Sequence, residues 1–263
     1  PFKNICWRVS LGEAAGGALA AGLLAMLVSR GSSLLIEGIE DLKAMSGKWE
    51  NAICLVSGFV AGMLIGYNGF MWSQSVIVEV YAFSVASLML VLLCLLRWIY
   101  APHQRRYLYW ALFFHGLSFT NHQTLIVAAM GIEVAIAAAS FRMGRYLFLG
   151  NSIIYFAGLI LKSKGMMGTL DANPAVFNIF NVVGICSIAA YFWFTVLSKE
   201  TFLEFCLDAC LTVTIVLIAL GLGGNGFFYL LALAAVVGVA KFGWETRKLG
   251  LEWLVVIGCG FCW

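Results

Sequence analysis

Apolar residues in this chain do not recur with a strand or single-face helix period. They fill whole runs, and polar residues are confined to the gaps. Nine runs can be drawn, at about 12–29, 51–67, 80–100, 107–119, 124–140, 146–162, 177–198, 203–222 and 227–242, with a tenth at 251–263. Most approach the roughly 20 residues that carry a helix across a bilayer. An outer-membrane barrel would alternate apolar and polar residues at period 2, and these runs do not. The pattern predicts an all-α, polytopic transmembrane helical bundle of about nine membrane helices plus a truncated tenth. The fourth run is short, and Thr120-Asn121-His122-Gln123 parts it from the fifth. That gap is either a tight turn or a helix break at membrane depth. No repeat of fixed period is apparent.

Composition narrows the class. Of 263 residues, 62% are apolar and 11% charged, against about 25% charged in an average soluble domain. Mean hydropathy is +0.95. These values exclude a water-soluble enzyme, a disordered chain and a nucleic-acid module, and a net charge of +3 lacks the basic stripe of a phosphate-backbone binder. The lipid bilayer is therefore the first expected partner, and nucleic acid is not one. Frequent Gly (28) and rare Pro (3) suit closely packed membrane helices. The eight cysteines lie mostly in apolar runs, where free Cys behaves as a small hydrophobe. Cys259-Gly-Phe-Cys262 has redox spacing, but no βαβ pattern surrounds it. A start at Pro1 without Met, and an apolar run that stops at Trp263, read as one internal piece of a longer protein, a single transmembrane domain cut at both ends.

Basic residues orient the helices. Alternate connections collect Arg30, Lys43, Lys48, Arg97, Arg105, Arg106, Arg142, Arg145, Lys199, Lys241, Arg247 and Lys248 on one side. Lys3, Arg8, Lys162 and Lys164 fall on the other. Twelve against four makes the first side cytoplasmic. Residue 1 and the 68–79 and 119–123 loops are then external, as are the loops near 163–176 and 222–226. On the cytoplasmic side, residues 37–50 carry mixed charge and read as a short amphipathic interface segment.

The external side has few charges, but polar and aromatic groups gather in two places. One is Tyr67–Tyr81, with Trp72, Gln74, Glu79 and Tyr81. The other is Gly116–Thr124, with Asn121, His122 and Gln123. An unpaired carboxylate such as Glu79 costs several kcal/mol to bury in lipid, so it must be paired, protonated or facing a wet cavity. If 74–81 begins a helix, Ser75 and Glu79 share a face at i, i+4. Two readings stay open. Either Glu79 bonds Asn121 or His122 and staples the bundle, or both clusters line one outward-facing cavity. Glu133, in the middle of the fifth run, is by default a functional candidate and equally suits a hydrogen bond to a neighbouring helix. Lys162 and Lys164 either meet a phosphate as point charges or sit among lipid headgroups. The three histidines (His103, His115, His122) do not cluster in sequence. No cofactor is predicted, and a divalent metal stays open.

The two clusters, Trp72-Ser73-Gln74-…-Glu79-Val80-Tyr81 and Gly116-Leu117-Ser118-…-Asn121-His122-…-Thr124, resemble a bacterial family of integral membrane proteins long catalogued as a domain of unknown function. That family is related to the eukaryotic O-mannosyltransferase of plexin and receptor immunoglobulin-like domains. The opening Pro1-Phe2-…-Asn4-…-Trp7-Arg8-Val9 resembles the segment before its second membrane helix. The likeness covers about 1–130, leaving 131–263 as additional membrane helices. Gly168–Pro174 holds no tryptophan where the family has an Asn-Trp-Gly pattern.

The resemblance implies a GT-C glycosyltransferase-like fold in a bacterial inner membrane. It implies transfer of a sugar, mannose among the candidates, from a polyprenyl-phosphate donor to a hydroxyl of an acceptor protein or glycan on the periplasmic face. It also implies that the catalytic carboxylate belongs to a first external loop upstream of Pro1. Trp72, Gln74, Glu79, Tyr81, Asn121 and His122 would then line the donor or acceptor cavity, with Arg8, Lys162 and Lys164 as phosphate-binding candidates. Arg8 leads these, since a guanidinium grips two phosphate oxygens at once. The rival readings are a secondary transporter or lipid flippase, for which interrupted helices would speak, and a non-catalytic membrane scaffold.

Overall fold

The computed structural model describes residues 5–43, 47–77, 80–118, 125, 127–199 and 201–246. Every element among them is helical. In chain order they are α1 (Ile5–Gly38), α2 (Glu40–Lys43), α3 (Gly47–Gly66), α4 (Gly69–Val76), α5 (Tyr81–Tyr100), α6 (Arg106–Ser118), α7 (Val127–Ala139), α8 (Phe141–Ser163), α9 (Gly168–Ala172), α10 (Pro174–Ser198), α11 (Phe202–Leu222) and α12 (Phe227–Thr246). Seven of these, α1, α3, α5, α8, α10, α11 and α12, are long and apolar enough to cross a membrane. The 13-residue α6 and α7 reach about 20 Å each at 1.5 Å per residue, short of a 30 Å hydrocarbon core. They flank the 119–124 gap, itself outside the described residues.

The bundle predicted from the apolar runs is what the chain forms, with differences at the ends. The first run, 12–29, is only the middle of the 34-residue α1. At about 51 Å, α1 is longer than the hydrocarbon core is thick. Within 37–50, the chain forms the one-turn α2 and the start of α3. The expected helix start at 74–81 is replaced by a break. Ser75 belongs to α4, and Ile77 is extended (φ −84°, ψ 144°). Val76, Ile77, Val78 and Val80 are a β-branched run, stiff at χ1 and poor in a helix. Glu79 itself, the i+4 partner read for Ser75, lies outside the described residues. Upstream, Asn68 caps α4 by accepting from the backbone N–H groups of Phe70 (3.0 Å) and Met71 (3.1 Å).

The chain divides into two compact units, Pro1–Gly131 and Ile132–Trp263. In the first, α1 packs on α3, α4 and α5, and α5 on α6. The α1–α3 seam is built from small residues. Gly58, Gly62 and Gly66 of α3, each a turn apart, meet Ala21, Ala25 and Ser29 of α1. A Cβ on Gly58 would stand 2.6 Å from the Ala25 carbonyl oxygen, so the backbones touch, as in small-xxx-small membrane pairs. Ser32 and Ser57 hydroxyls bond across this seam at 2.9 Å, and Ser33 donates to Glu50 at 3.1 Å. A second face of α1, with Glu13, Gly16, Gly17 and Ala20 buried, turns to α4 and α5. There Phe83 lies against Gly16 and Ser75 against Gly17. Gly16–Phe83 at one end and Glu37–Tyr100 at the other show that α1 and α5 run parallel.

In the second unit α8 packs against α10 and α11, and α11 against α12. Asn173 caps α10 just before Pro174, and the Thr201 N–H donates to Glu204 at the start of α11 (2.9 Å). The charge count assigned Arg145 to a cytoplasmic connection. It lies a turn inside α8 and is 0% exposed, because Asp208 of α11 pairs with it. Without it, eleven basic residues stand against four.

Candidate functional site

A groove of about 540 Å³ opens between α1, α3 and α4 in the first unit. Its α1 wall is a stripe of small residues, Ala14, Ala18, Ala21 and Ala25, and Gly62 and Met63 of α3 face it. Cβ groups this small leave the groove its room. Tyr67 and Trp72 supply exposed aromatic lining. Such a space takes a flexible hydrocarbon chain, and an aromatic face beside it suits a sugar or isoprenoid.

One acid adjoins this groove. Glu13 is 7% exposed and lies one turn before Gly17 on the α1 face that meets α4. Its Oε2 is buried with no hydrogen-bond partner among the described residues. A buried carboxyl oxygen left so carries a cost that a hydrogen-bond donor would relieve. The sequence carried its signal, since Glu13 is the one charged residue in Val9–Ser29. The intramembrane-acid argument that singled out Glu133 applies to it equally.

The expected site residues are placed as follows. Trp72 is 60% exposed and lines the groove. Gln74 is half-buried on the same short helix, and Tyr81 is exposed at the start of α5. Arg8 is exposed on the first turns of α1, five residues before Glu13. Glu79, Asn121 and His122 lie outside the described residues. Lys162 and Lys164 belong to the second unit. Lys162 donates to Asp171 at 2.9 Å and lies 4.5 Å from the Phe177 ring centroid, so much of its charge is already engaged. Lys164 ends α8 with its stem against Gly223.

The second unit also answers for Glu133. Asn151 of α8 donates to it at 2.8 Å, the interhelical bond that was one of its two readings. A further polar group links three helices there. Arg145 pairs with Asp208, and its Nε donates to Thr195 Oγ1 at 3.1 Å. Tyr191 donates to the same carboxylate at 3.0 Å, and its ring lies 5.5 Å from the guanidinium. Burial among these partners leaves an ion pair facing protein rather than lipid. His103 is exposed and His115 buried. Among the described residues no three His, Cys, Asp or Glu side chains gather as a metal site. The six described cysteines are free.

Residues 1–143 fit the family model of the protein O-mannosyl-transferase TMEM260 N-terminal domain. The match covers the whole of the unit that holds the groove. No curated protein and no solved structure matches the chain.

Proposed function

The chain belongs to the family of the protein O-mannosyl-transferase TMEM260 N-terminal domain, and from that premise we propose that it serves the transfer of a mannose or related sugar from a polyprenyl-phosphate donor to an acceptor hydroxyl. The family match carries the reaction class. The groove supports the lipid-linked donor, because its small-residue wall offers room for an isoprenyl chain and Trp72 an apolar face for the sugar.

The acceptor oxygen must lose its proton as it attacks the anomeric carbon, and the leaving polyprenyl phosphate takes the bonding pair. The first needs a general base near that carbon, the second positive charge near the phosphate. Arg8 holds the phosphate, and Glu13 accepts a hydrogen bond from a donor hydroxyl. Gln74, Glu79, Tyr81, Asn121 and His122 position sugar or acceptor. The face at work is the external one, at the end of α1 that carries few basic residues, in a bacterial inner membrane.

The test uses the intact open reading frame in membranes, with release of polyprenyl phosphate from labelled polyprenyl-phosphate mannose as the readout. Ala18→Trp fills the groove and is expected to raise the donor KM. Glu13→Gln keeps the shape of the side chain, and turnover is expected to fall roughly tenfold, the scale of one charge-assisted hydrogen bond. If wild-type membranes turn over no such donor, or Ala18→Trp and Glu13→Gln both run at the wild-type rate, the proposal fails.

A further inference from the structure

At the other end of the same helices, α1, α5 and α6 enclose a second cavity, of about 430 Å³. Its character is different. Arg30 of α1 and Arg97 of α5 line it together with Ser33, Tyr100 and Tyr107, over an apolar floor that includes Leu34 and Leu93. The Arg97 guanidinium carbon lies 5.6 Å from the Tyr107 ring centroid, and that of Arg106 lies 5.1 Å from the same ring. Two arginines, Arg30 and Arg97, thus line the cavity, and Arg106 shares the Tyr107 ring with Arg97.

Two acids lie beside this lining, and each is bonded to a hydroxyl there rather than to an arginine. Glu37 accepts from the Tyr100 hydroxyl at 3.4 Å and Glu50 from Ser33 at 3.1 Å. Among the described residues, neither Arg30 nor Arg97 makes an ion pair. Two cations thus face a cavity whose floor is hydrocarbon. The matching ligand has a phosphate at one end and an apolar chain at the other.

We propose that the Arg30–Arg97 cavity binds an anionic phospholipid, its headgroup phosphate held by the two guanidinium groups and an acyl chain laid on the leucine floor. Basic pockets between membrane helices recognise headgroups in this way, and a planar guanidinium meets phosphate oxygens two at a time. The lipid bridges α1 to α5 in the leaflet opposite the Trp72 groove. The site is independent of the donor reaction and stands whether or not sugar transfer is found.

The test uses the whole chain, purified in detergent and incorporated into nanodiscs of phosphatidylcholine with or without phosphatidylglycerol. Lipid retained on gentle delipidation is counted by native mass spectrometry, and thermal stability is followed in parallel. The wild type is expected to retain phosphatidylglycerol and to melt higher with it. Arg30→Gln/Arg97→Gln is expected to weaken retention roughly 30-fold, from about 1 kcal/mol per arginine. Lys241→Gln, a charge removed in the second unit, leaves retention unchanged. Cys94→Phe fills the cavity without touching its charge and abolishes retention, which guards against the double variant failing to fold. Equal retention in the double variant and the wild type overturns the proposal. So does stabilisation by inorganic phosphate equal to that by phosphatidylglycerol, because the ligand would then be a soluble phosphate compound.

Discussion

Single residues in this chain matter by what their absence of bulk permits. A Cβ at Gly58 would meet the Ala25 carbonyl oxygen at 2.6 Å and the Ser29 Cβ at 2.8 Å. The backbone carbonyl cannot rotate away as a side chain would, so Gly58→Ala must push α1 and α3 apart. A cost of about 1–3 kcal/mol is expected, the usual range for overpacking, read as a lower midpoint of thermal unfolding in detergent. Gly12, a glycine of α1 with nothing within 4 Å of its Cβ position, is the comparison. Gly12→Ala should hold or raise the midpoint, since Ala is the better helix former, and equal losses at both positions would refute the close seam. The Gly58–Gly62–Gly66 spacing stood in plain view in the sequence. Its partner stripe did not, because Ala21, Ala25 and Ser29 are unremarkable until α3 is laid against them. Glu13 was readable from charge alone, as a lone acid in an apolar run. That its Oε2 has no hydrogen-bond partner among the described residues was not, since that depends on what α4 and α5 bring beside it.

Between elements, the question is what joins helices where lipid gives no hydrophobic drive. In the second unit the answer is polar. Arg145 of α8 is bound by Asp208 of α11 and Thr195 of α10, and Tyr191 of α10 closes the group. Asp208→Ala leaves a buried guanidinium without its counter-ion, and a loss of about 3–5 kcal/mol is expected. Replacing both partners with Leu removes the buried charge altogether and should recover most of that loss. Denaturant unfolding followed by tryptophan fluorescence distinguishes the cases, and a single variant no worse than the double would contradict the pairing. The helices themselves were legible because whole apolar runs admit few other structures in a membrane. Their ends were not. Lipid does not mark where α1 should stop, and Arg145 looked like a loop residue because its counter-ion comes from 63 positions away. The break between α4 and α5 had a local cause in Val76, Ile77, Val78 and Val80, yet an apolar run hides a β-branched one.

At the scale of the molecule, basic residues gather at alternate connections, and this predicts which face of the membrane each loop occupies. A cysteine placed at Asn68, before α4, should react with a membrane-impermeant maleimide from outside intact cells, in a background freed of native cysteines. A cysteine at His103, between α5 and α6, should react only after the membrane is opened. The reverse pattern would move the Trp72 groove to the cytoplasmic face and remove the periplasmic reaction with it. The seam between α1 and α3 carries a last consequence. Small residues recur every four positions on both helices, so shifting one past the other by a turn would set glycines against Ala, Gly or Ser once more. Van der Waals contact alone therefore scores several alignments almost alike. What breaks the tie is the pair of hydroxyl bonds, Ser32 to Ser57 and Ser33 to Glu50, which form in one alignment and not in its neighbours. The glycines allow the helices to meet, and three serines and a glutamate decide where. A chain without those hydroxyls keeps its contact area and loses its registration, and with it the fixed depth of the groove that α1 and α3 share.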